Sequence, residues 1–242
     1  MMRKSLFTLI ILLFTGSYFS LSAQSSKKKI LLFYKTAKYK HLSIPAGIKA
    51  ITKLGIENKF QTDTSSDASL FTDANLIKYN AVVFLSTSGD MLNEEQQGAF
   101  ERYIRKGGGY MGIHGASAGE YDWLWYGQLV GAVFDGHPVQ QYATFNVVDK
   151  KHRSTRHLPA EWNIKEELYN FKNISSDIKV VLTVNEATYQ GGTNGSFHPM
   201  AWYRNFDGGR SFYTALGHAD DKFTNPLFLK HILEGIRYAM GK

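Results

Sequence analysis

Eight histidines and no cysteine define the chemistry open to this 242-residue chain. Without a thiol there is no disulfide, cysteine nucleophile, thiolate zinc site or lipidated cysteine. Catalysis then falls to His, Asp, Glu, Ser, Tyr, Lys or a metal held by nitrogen and oxygen. Five histidines stand beside turn-forming or small residues, where α/β proteins present reactive groups. His114 follows the apolar run 110–113 and precedes Gly115-Ala116-Ser117-Ala118-Gly119. His41 lies in the loop after the first apolar run, and His137 lies between Gly136 and Pro138. His198 follows the glycine-rich stretch 190–197, and His218 follows Gly217 directly behind the run 211–216. Imidazole serves near neutral pH as general acid, general base or metal ligand. Three histidines with one carboxylate would suit zinc, manganese or iron. No two of the five are spaced i, i+4, so only the fold could assemble such a site.

The turn at His114 has the composition of a nucleophile elbow, with small neighbours that admit a substrate and expose backbone N–H donors. The competing reading of His114 alone is a hydrogen-bonded structural histidine; its place at a strand end brings the functional reading into play. Glu167, opening the segment ELYNF, is the preferred carboxylate partner over Glu166, Glu186, Asp135 and Asp220. His114, His137, Glu167 and His218 are the predicted catalytic set. His41, His114, His137, His198 and His218 are the pool of candidate metal ligands. His41, His198, Trp123, Trp125, Tyr126 and Trp202 are the predicted substrate contacts. Aromatic rings at 123, 125 and 126 point in different directions, so not all can face one core, and sugars stack their C–H faces on such rings. The alternative for each aromatic is ordinary core packing. His152, His157 and His231 are read as structural or surface residues.

The elements that must position these groups are legible from periodicity. Apolar runs at 29–34, Ala81–Leu85 and 110–113 read as buried strands, with a weaker strand at 57–62. Ile44, Ile48, Ile51 and Leu54 recur at helical spacing, with Ser43 as expected N-cap, Pro45 in the first turn and Gly55 as stop. A short helix is expected within 67–78. Asn93 and Gln96 form a capping-box pair before the helix bearing Phe100, Tyr103 and Ile104, which Gly107 ends. A helix is predicted at 122–130, and extended segments at 141–147, 167–171 and 179–184. The stretch 152–162 reads as irregular and 190–197 as a flexible loop. Asp207-Gly208-Gly209 between 200–203 and 211–215 is a hairpin signal. A last helix at 226–240 is capped by Asn225. Alternating strands and helices predict an α/β doubly wound, mostly parallel sheet with helices on both faces and a C-terminal β-hairpin insertion.

Residues 1–23 read as a secretory signal peptide: Arg3 and Lys4, an apolar core at 6–14, then Leu21-Ser22-Ala23. Export to the periplasm or outside the cell is expected, with residues 24–242 as one domain. Gly16, Ser17 and Ser20 keep the apolar run short of the ~20 residues that span a bilayer, so no membrane span is expected after cleavage. The net charge of +7 is dispersed, and part of it leaves with Arg3 and Lys4. No basic patch with interleaved aromatics exists, so nucleic acid is not an expected partner. Gly107-Gly108-Gly109-Tyr110-Met111-Gly112 matches G-x-G-x-x-G literally. However, a dinucleotide site needs those glycines after a strand and before a helix, and here the order is reversed. No nucleotide cofactor is expected.

Taken together, the loop with His41, the stretch GGGYMGIHGASAG, WLWYGQLVGAVFDGHP, EELY, HPMAW and YTALGH resemble the ThuA-like (trehalose-utilisation) family. The resemblance implies a class I glutamine-amidotransferase-like, flavodoxin-type fold and a role in sugar catabolism. In related amidotransferases the elbow carries a cysteine, and here His114 takes that place, so thiol-based glutamine hydrolysis is not available. His198-Pro199 is similar to an amidotransferase His-Pro-Glu element, but Met200 replaces the acid and no triad is carried over. The expected function is an exported enzyme acting on a glycoside or keto-sugar by histidine acid–base chemistry, with a divalent metal as candidate cofactor. The alternatives are a non-catalytic carbohydrate-binding protein and a metal-dependent hydrolase of other substrates.

Overall fold

The computed structural model describes residues 27–241; the expected leader lies outside them. Strands β1 (Lys29–Phe33), β2 (Gln61–Ser65), β3 (Ala81–Leu85) and β4 (Gly109–Ile113) alternate with helices α1 (Ile44–Glu57), α2 (Asp73–Leu76) and α3 (Glu94–Arg105). The chain continues through α4 (Leu124–Val130), the short β5 (Val133–Phe134), β6 (Gln141–Val147) and β7 (Glu161–Glu166). It ends with the short β8 (Phe171–Lys172), β9 (Lys179–Val184), β10 (His198–Phe206), β11 (Gly209–Thr214) and α5 (Pro226–Ala239). Nine strands form one sheet in the order β2-β1-β3-β4-β11-β10-β9-β6-β7, while β5 pairs with β8 alone. The strands from β2 to β11 are parallel, and β10, β9, β6 and β7 extend the sheet in antiparallel pairings. The expected hairpin is therefore built into the middle of the sheet, with β11 hydrogen-bonded to β4.

Parallel strands covered on both faces are apolar throughout, and β3 and β4 are buried along their whole length. One face carries Phe84 and Tyr110, which meet Phe100 of α3 and Tyr126 of α4. The other carries Leu85 beneath Gly47 of α1, and Met111 and Phe212 beneath Gly235 of α5. The α/β layering read from the sequence is thus present, with helices on both faces. The run Gly107–Gly109 closes α3 and opens β4: Gly107 has φ +88°, and a Cβ on Gly109 would overlap the Ala239 carbonyl of α5.

Local signals held where the partner was local. Asn93 and Gln96 form a reciprocal capping box, and Asn225 accepts from the backbone N–H groups of Leu227 and Phe228. Pro45 opens α1 as expected, but Ser43 does not cap it; its hydroxyl donates to the Gly217 carbonyl at 3.2 Å. Helix α1 runs past Gly55 to Glu57. That extension moves the second strand from 57–62 to Gln61–Ser65. The strand expected at 167–171 is instead β7, whose Trp162, Ile164 and Glu166 point inward and alternate with exposed residues. Among the described residues no helix is long and apolar enough to cross a membrane.

His231 of α5 is fully buried between the Ser154 carbonyl, which accepts from Nδ1 at 2.9 Å, and the Thr214 hydroxyl, which donates to Nε2 at 3.1 Å. Burial holds this imidazole down at about 4, below its ordinary 6.5. A depressed pKa means that the unfolded chain binds the proton more readily. The contribution is therefore complete above pH 6.5 and is lost as the pH falls towards 4. Its size is on the order of 3 kcal/mol. Denaturant titrations should show unfolding free energy falling across that window, and His231→Gln should flatten the fall. An unchanged slope in the variant would contradict this account.

Candidate active site and metal centre

The backbone at His114 turns into the left-handed region, φ +51°, immediately after β4. Few non-glycine residues adopt this conformation, and it persists where surrounding contacts enforce it. Here the His114 carbonyl accepts from the Tyr213 hydroxyl at 2.8 Å, and the Ala116 carbonyl accepts from the Tyr126 hydroxyl at 2.7 Å. Gly115 lets His41 approach: a Cβ there would stand 3.1 Å from both His41 Cε1 and the Thr87 carbonyl oxygen. The elbow expected from sequence is thus realised with an imidazole at its tip.

His114 is fully buried, and its Nδ1 donates to the Ala215 carbonyl at 2.7 Å. That bond fixes the tautomer and turns Nε2 inward as a lone-pair donor. Nε2 lies 3.3 Å from Glu167 Oε2, 3.2 Å from His218 Nδ1 and 3.0 Å from the Tyr169 hydroxyl, which donates to it. His218 Nδ1 is in turn 3.1 Å from Glu167 Oε2. Three basic atoms therefore form a triangle with sides of 3.1, 3.2 and 3.3 Å. His41 completes the group, its ring 4.6 Å from that of His114 and 5.5 Å from that of His218. One ligand atom from each of His41, His114, Glu167 and His218 lies within 4.8 Å of every other.

Glu166 brings two of these chain segments together. Its buried carboxylate accepts from the backbone N–H groups of Glu167, Gly217 and His218 at 3.0, 3.0 and 3.2 Å. The end of β7 is thereby joined to the loop behind β11, and Glu167 is set beside His218.

The electrostatics follow from this crowding. Burial, reinforced by the neighbouring His114 and His218, pushes His41 down to about 3, so it stays neutral. Burial alone would raise Glu167, but the neighbouring imidazoles of His114 and His218 overrule it and hold the carboxyl well below its usual range. The bond to Glu167 outweighs burial at His218 and raises it. The set is thus a carboxylate with three imidazoles, His41 among them neutral. His41 Nδ1 is buried without a hydrogen-bond partner, as a nitrogen reserved for another ligand would be.

This donor set fits a divalent cation. Tetrahedral ligands ~2.1 Å from zinc stand about 3.4 Å apart, close to the sides of the triangle. Nitrogen and oxygen donors suit zinc, manganese or iron. The contact of His114 with Ala215 is the outer-layer bond that metal-bound histidines usually make.

The other predicted residues divide. His137 is exposed beside the cluster, its Nδ1 3.0 Å from the Pro138 carbonyl and 3.3 Å from Glu167 Oε1. Its Nε2 is thereby left as the lone-pair nitrogen. His198 does not join the cluster: it is fully buried behind Tyr169, with Nε2 donating to the Tyr169 carbonyl at 2.8 Å. Its Nδ1 lies 2.8 Å from Glu186, whose carboxylate also accepts from the backbone of Asn194 and Gly195. It supports the wall of the site and has no face open to substrate. Trp202 is fully buried, donating to the Val130 carbonyl, and Tyr126 is buried under the elbow. Neither can stack on a sugar. Trp123 and Trp125 stack on each other and donate to Glu101 and Asp207. Asp207 lies in the β10–β11 turn, which belongs to the opposite end of the parallel strands.

A cavity of about 430 Å³ opens on the cluster, lined by His41, His137 and Glu167 together with Tyr39, Tyr121, Phe134 and Tyr169. The aromatic surface near the chemistry thus comes from residues that sequence reasoning passed over. Tyr169 could have been found from its place two residues after Glu167. Glu166 could not be preferred over its neighbour without knowing which of the two faces inward.

Residues 29–239 match the model of the family ThuA, described as trehalose utilisation. The fold is similar to that of a protein described as ThuA-like from Bacteroides uniformis, with TM-score 0.75 and 23% identity over 92% of this chain and 95% of that one. A second protein described as ThuA-like, from Parabacteroides merdae, gives TM-score 0.71 and 18% identity over 89% and 91%. A protein from Thermoplasma acidophilum described as part of a GMP synthase gives TM-score 0.54 and 12% identity over 89% and 95%. At these identities the likeness concerns the fold. No protein of curated function matches the chain.

The pair of buried His198 and half-buried Glu186 gives a direct test of the wall behind the cluster. His198→Ala leaves the buried Tyr169 carbonyl without its donor and opens a cavity behind it, which should cost about 3 kcal/mol of unfolding free energy in urea. A loss below about 1 kcal/mol would mean that this pair does not hold the segment bearing Tyr169.

Proposed function

The chain belongs to the ThuA family, and from that premise we propose that it is an exported sugar-processing enzyme whose reaction centre is the cluster of His41, His114, Glu167 and His218. The observation that carries this reading is the convergence of three imidazoles and one carboxylate, drawn from four separate loops, at the mouth of an aromatic-lined cavity. Export is supported by the order of charged, apolar and small residues over 1–23. The family's description, trehalose utilisation, supports a glycoside or its keto derivative as substrate.

A divalent metal held by His41, His114, His218 and Glu167 would act as a Lewis acid towards a carbonyl or hydroxyl oxygen of the sugar. The chain's own groups then have distinct tasks. His137 stands in the cavity wall with Nε2 free, in position to take or return a proton at a carbon beside a carbonyl. Glu167 reaches the cluster with Oε2 and His137 with Oε1, so it orients the base and stabilises its protonated form. Tyr169 closes one side, its ring beside that of His114 and against Phe134, and keeps bulk water from the cluster, while its hydroxyl, 3.0 Å from His114 Nε2, would yield that nitrogen to the metal. Phe134 and Tyr121 offer the flat surfaces on which a sugar ring stacks.

Protein purified without chelator should contain about one equivalent of zinc, manganese or iron by elemental analysis, and His114→Ala should lose it. Turnover of disaccharides and their keto derivatives should fall about a hundredfold or more in the same variant and in His137→Ala. In His137→Ala the metal should remain. Wild-type protein without metal would remove the metal from this reading, and full turnover by His114→Ala would remove the reaction centre. Sugar binding without turnover in every form would favour a carbohydrate-binding protein.

A further inference from the structure

The nine-stranded sheet ends in β2 on one side and β7 on the other, each with one edge unpaired. Free N–H and C=O groups on such an edge template pairing with another chain, and proline, bulges or a covering segment usually guard against it. β7 lacks the backbone guards: EWNIKE holds no proline, and its register with β6 is unbroken. Among the described residues no strand lies beyond it.

Which groups are free follows from the alternation of an antiparallel pair. The Val147 N–H donates to the Ala160 carbonyl at 2.9 Å, so the backbone of residue 160 faces β6. Every second residue after it does the same. The N–H and C=O groups of Glu161, Asn163 and Lys165 are therefore turned away from the sheet. These three side chains are exposed, whereas Trp162, Ile164 and Glu166 are buried. Across the pair with β6, Glu161 faces Asn146 and Lys165 faces Tyr142, so neither meets a charge there.

The spacing makes this edge complementary to itself. A two-fold axis at Asn163 sets that residue opposite its own copy, and residue 161 opposite residue 165 of the second copy. Outward-facing backbone then meets outward-facing backbone, and each of these N–H groups finds a carbonyl. Glu161 lies opposite Lys165 on both sides of the axis, and opposite charges in facing positions attract. Asn163 is neutral and keeps its amide on the Thr144 hydroxyl at 3.2 Å. The edge at β2 lacks this symmetry, since the same operation about its middle residue sets Asp63 against Asp63.

We propose that a second copy of this chain docks edge to edge on β7, forming a two-fold dimer through antiparallel β7 strands. The main-chain bonds provide the attraction, and the Glu161–Lys165 pairs select the partner and its register. Pairing also braces the strand whose last residue is Glu166.

Sedimentation velocity of the purified protein should show a dimer that dissociates on dilution. Glu161→Lys places lysine opposite lysine on both sides of the axis, and Lys165→Glu places glutamate opposite glutamate. Each change should weaken dimerisation about tenfold. The double variant Glu161→Lys/Lys165→Glu should restore it, and an equimolar mixture of the two single variants should form a heterodimer. Both side chains are exposed, so far-UV circular dichroism should be unchanged in every variant. Wild type that stays monomeric from about 1 μM to about 1 mM would overturn the proposal. A dimer indifferent to both single reversals would place the interface elsewhere. Reversals that weaken the dimer, with rescue by neither the double variant nor the mixture, would refute the register through Asn163.

Discussion

The site depends on the carboxylate of Glu166. It lies on the edge strand of the nine-stranded sheet, yet it accepts three backbone N–H groups, two of them from the loop behind β11. A buried carboxylate must find such donors, and backbone N–H groups at a strand end must find an acceptor. Meeting both demands at once draws the segment after β7 against the segment after β11. Glu167 and His218 follow from that junction, because each is adjacent to, or part of, the bonds that make it. The elbow at His114 provides the third corner and is held independently by the hydroxyls of Tyr213 and Tyr126. Two separate constraints thus converge on one small volume.

What was legible in the sequence was what neighbouring residues decide. The apolar runs of β1, β3 and β4, the box at Asn93 and Gln96, and the cap at Asn225 depend on contacts within a few positions, and all are present. The strand β7 escaped because its inward positions read Trp162, Ile164 and Glu166, and an acid among them masks the alternation. Ser43 escaped as a cap because its hydroxyl answers a carbonyl 174 positions away. The segment 190–197 reads as flexible from its glycines and Asn194, but Asn170 bonds Gly191 and Thr193 within it and Asn194 bonds Phe171.

The same division holds at the site. His41, His114 and His218 could be singled out because each lies in a turn or loop behind an apolar run, and Glu167 because it opens the segment ELYNF. Whether such residues meet is decided by topology, and spacing carries no record of it. His198 shows the limit: it has the same sequence setting as the others, yet its strand places it one layer behind, against the Tyr169 carbonyl. The tryptophans show the converse. Their density at 123 and 125 reflects packing against α3 and the β10–β11 turn, and the rings that face the cavity are scattered through three loops and β5.

The bonds between Asn170 and the 191–194 segment carry a further consequence for how a ligand meets this surface. Asn170 donates to the Gly191 carbonyl and accepts from Thr193, while Asn194 bonds both the N–H and the carbonyl of Phe171. A glycine-rich stretch that would otherwise sample many conformations is fixed before anything binds, and with it the wall that carries Tyr169. Ordering a loop around a ligand subtracts from the affinity of the complex. On this side of the cavity that entropy was surrendered once, when the chain folded, so arrival of a ligand need not wait for a wall to form.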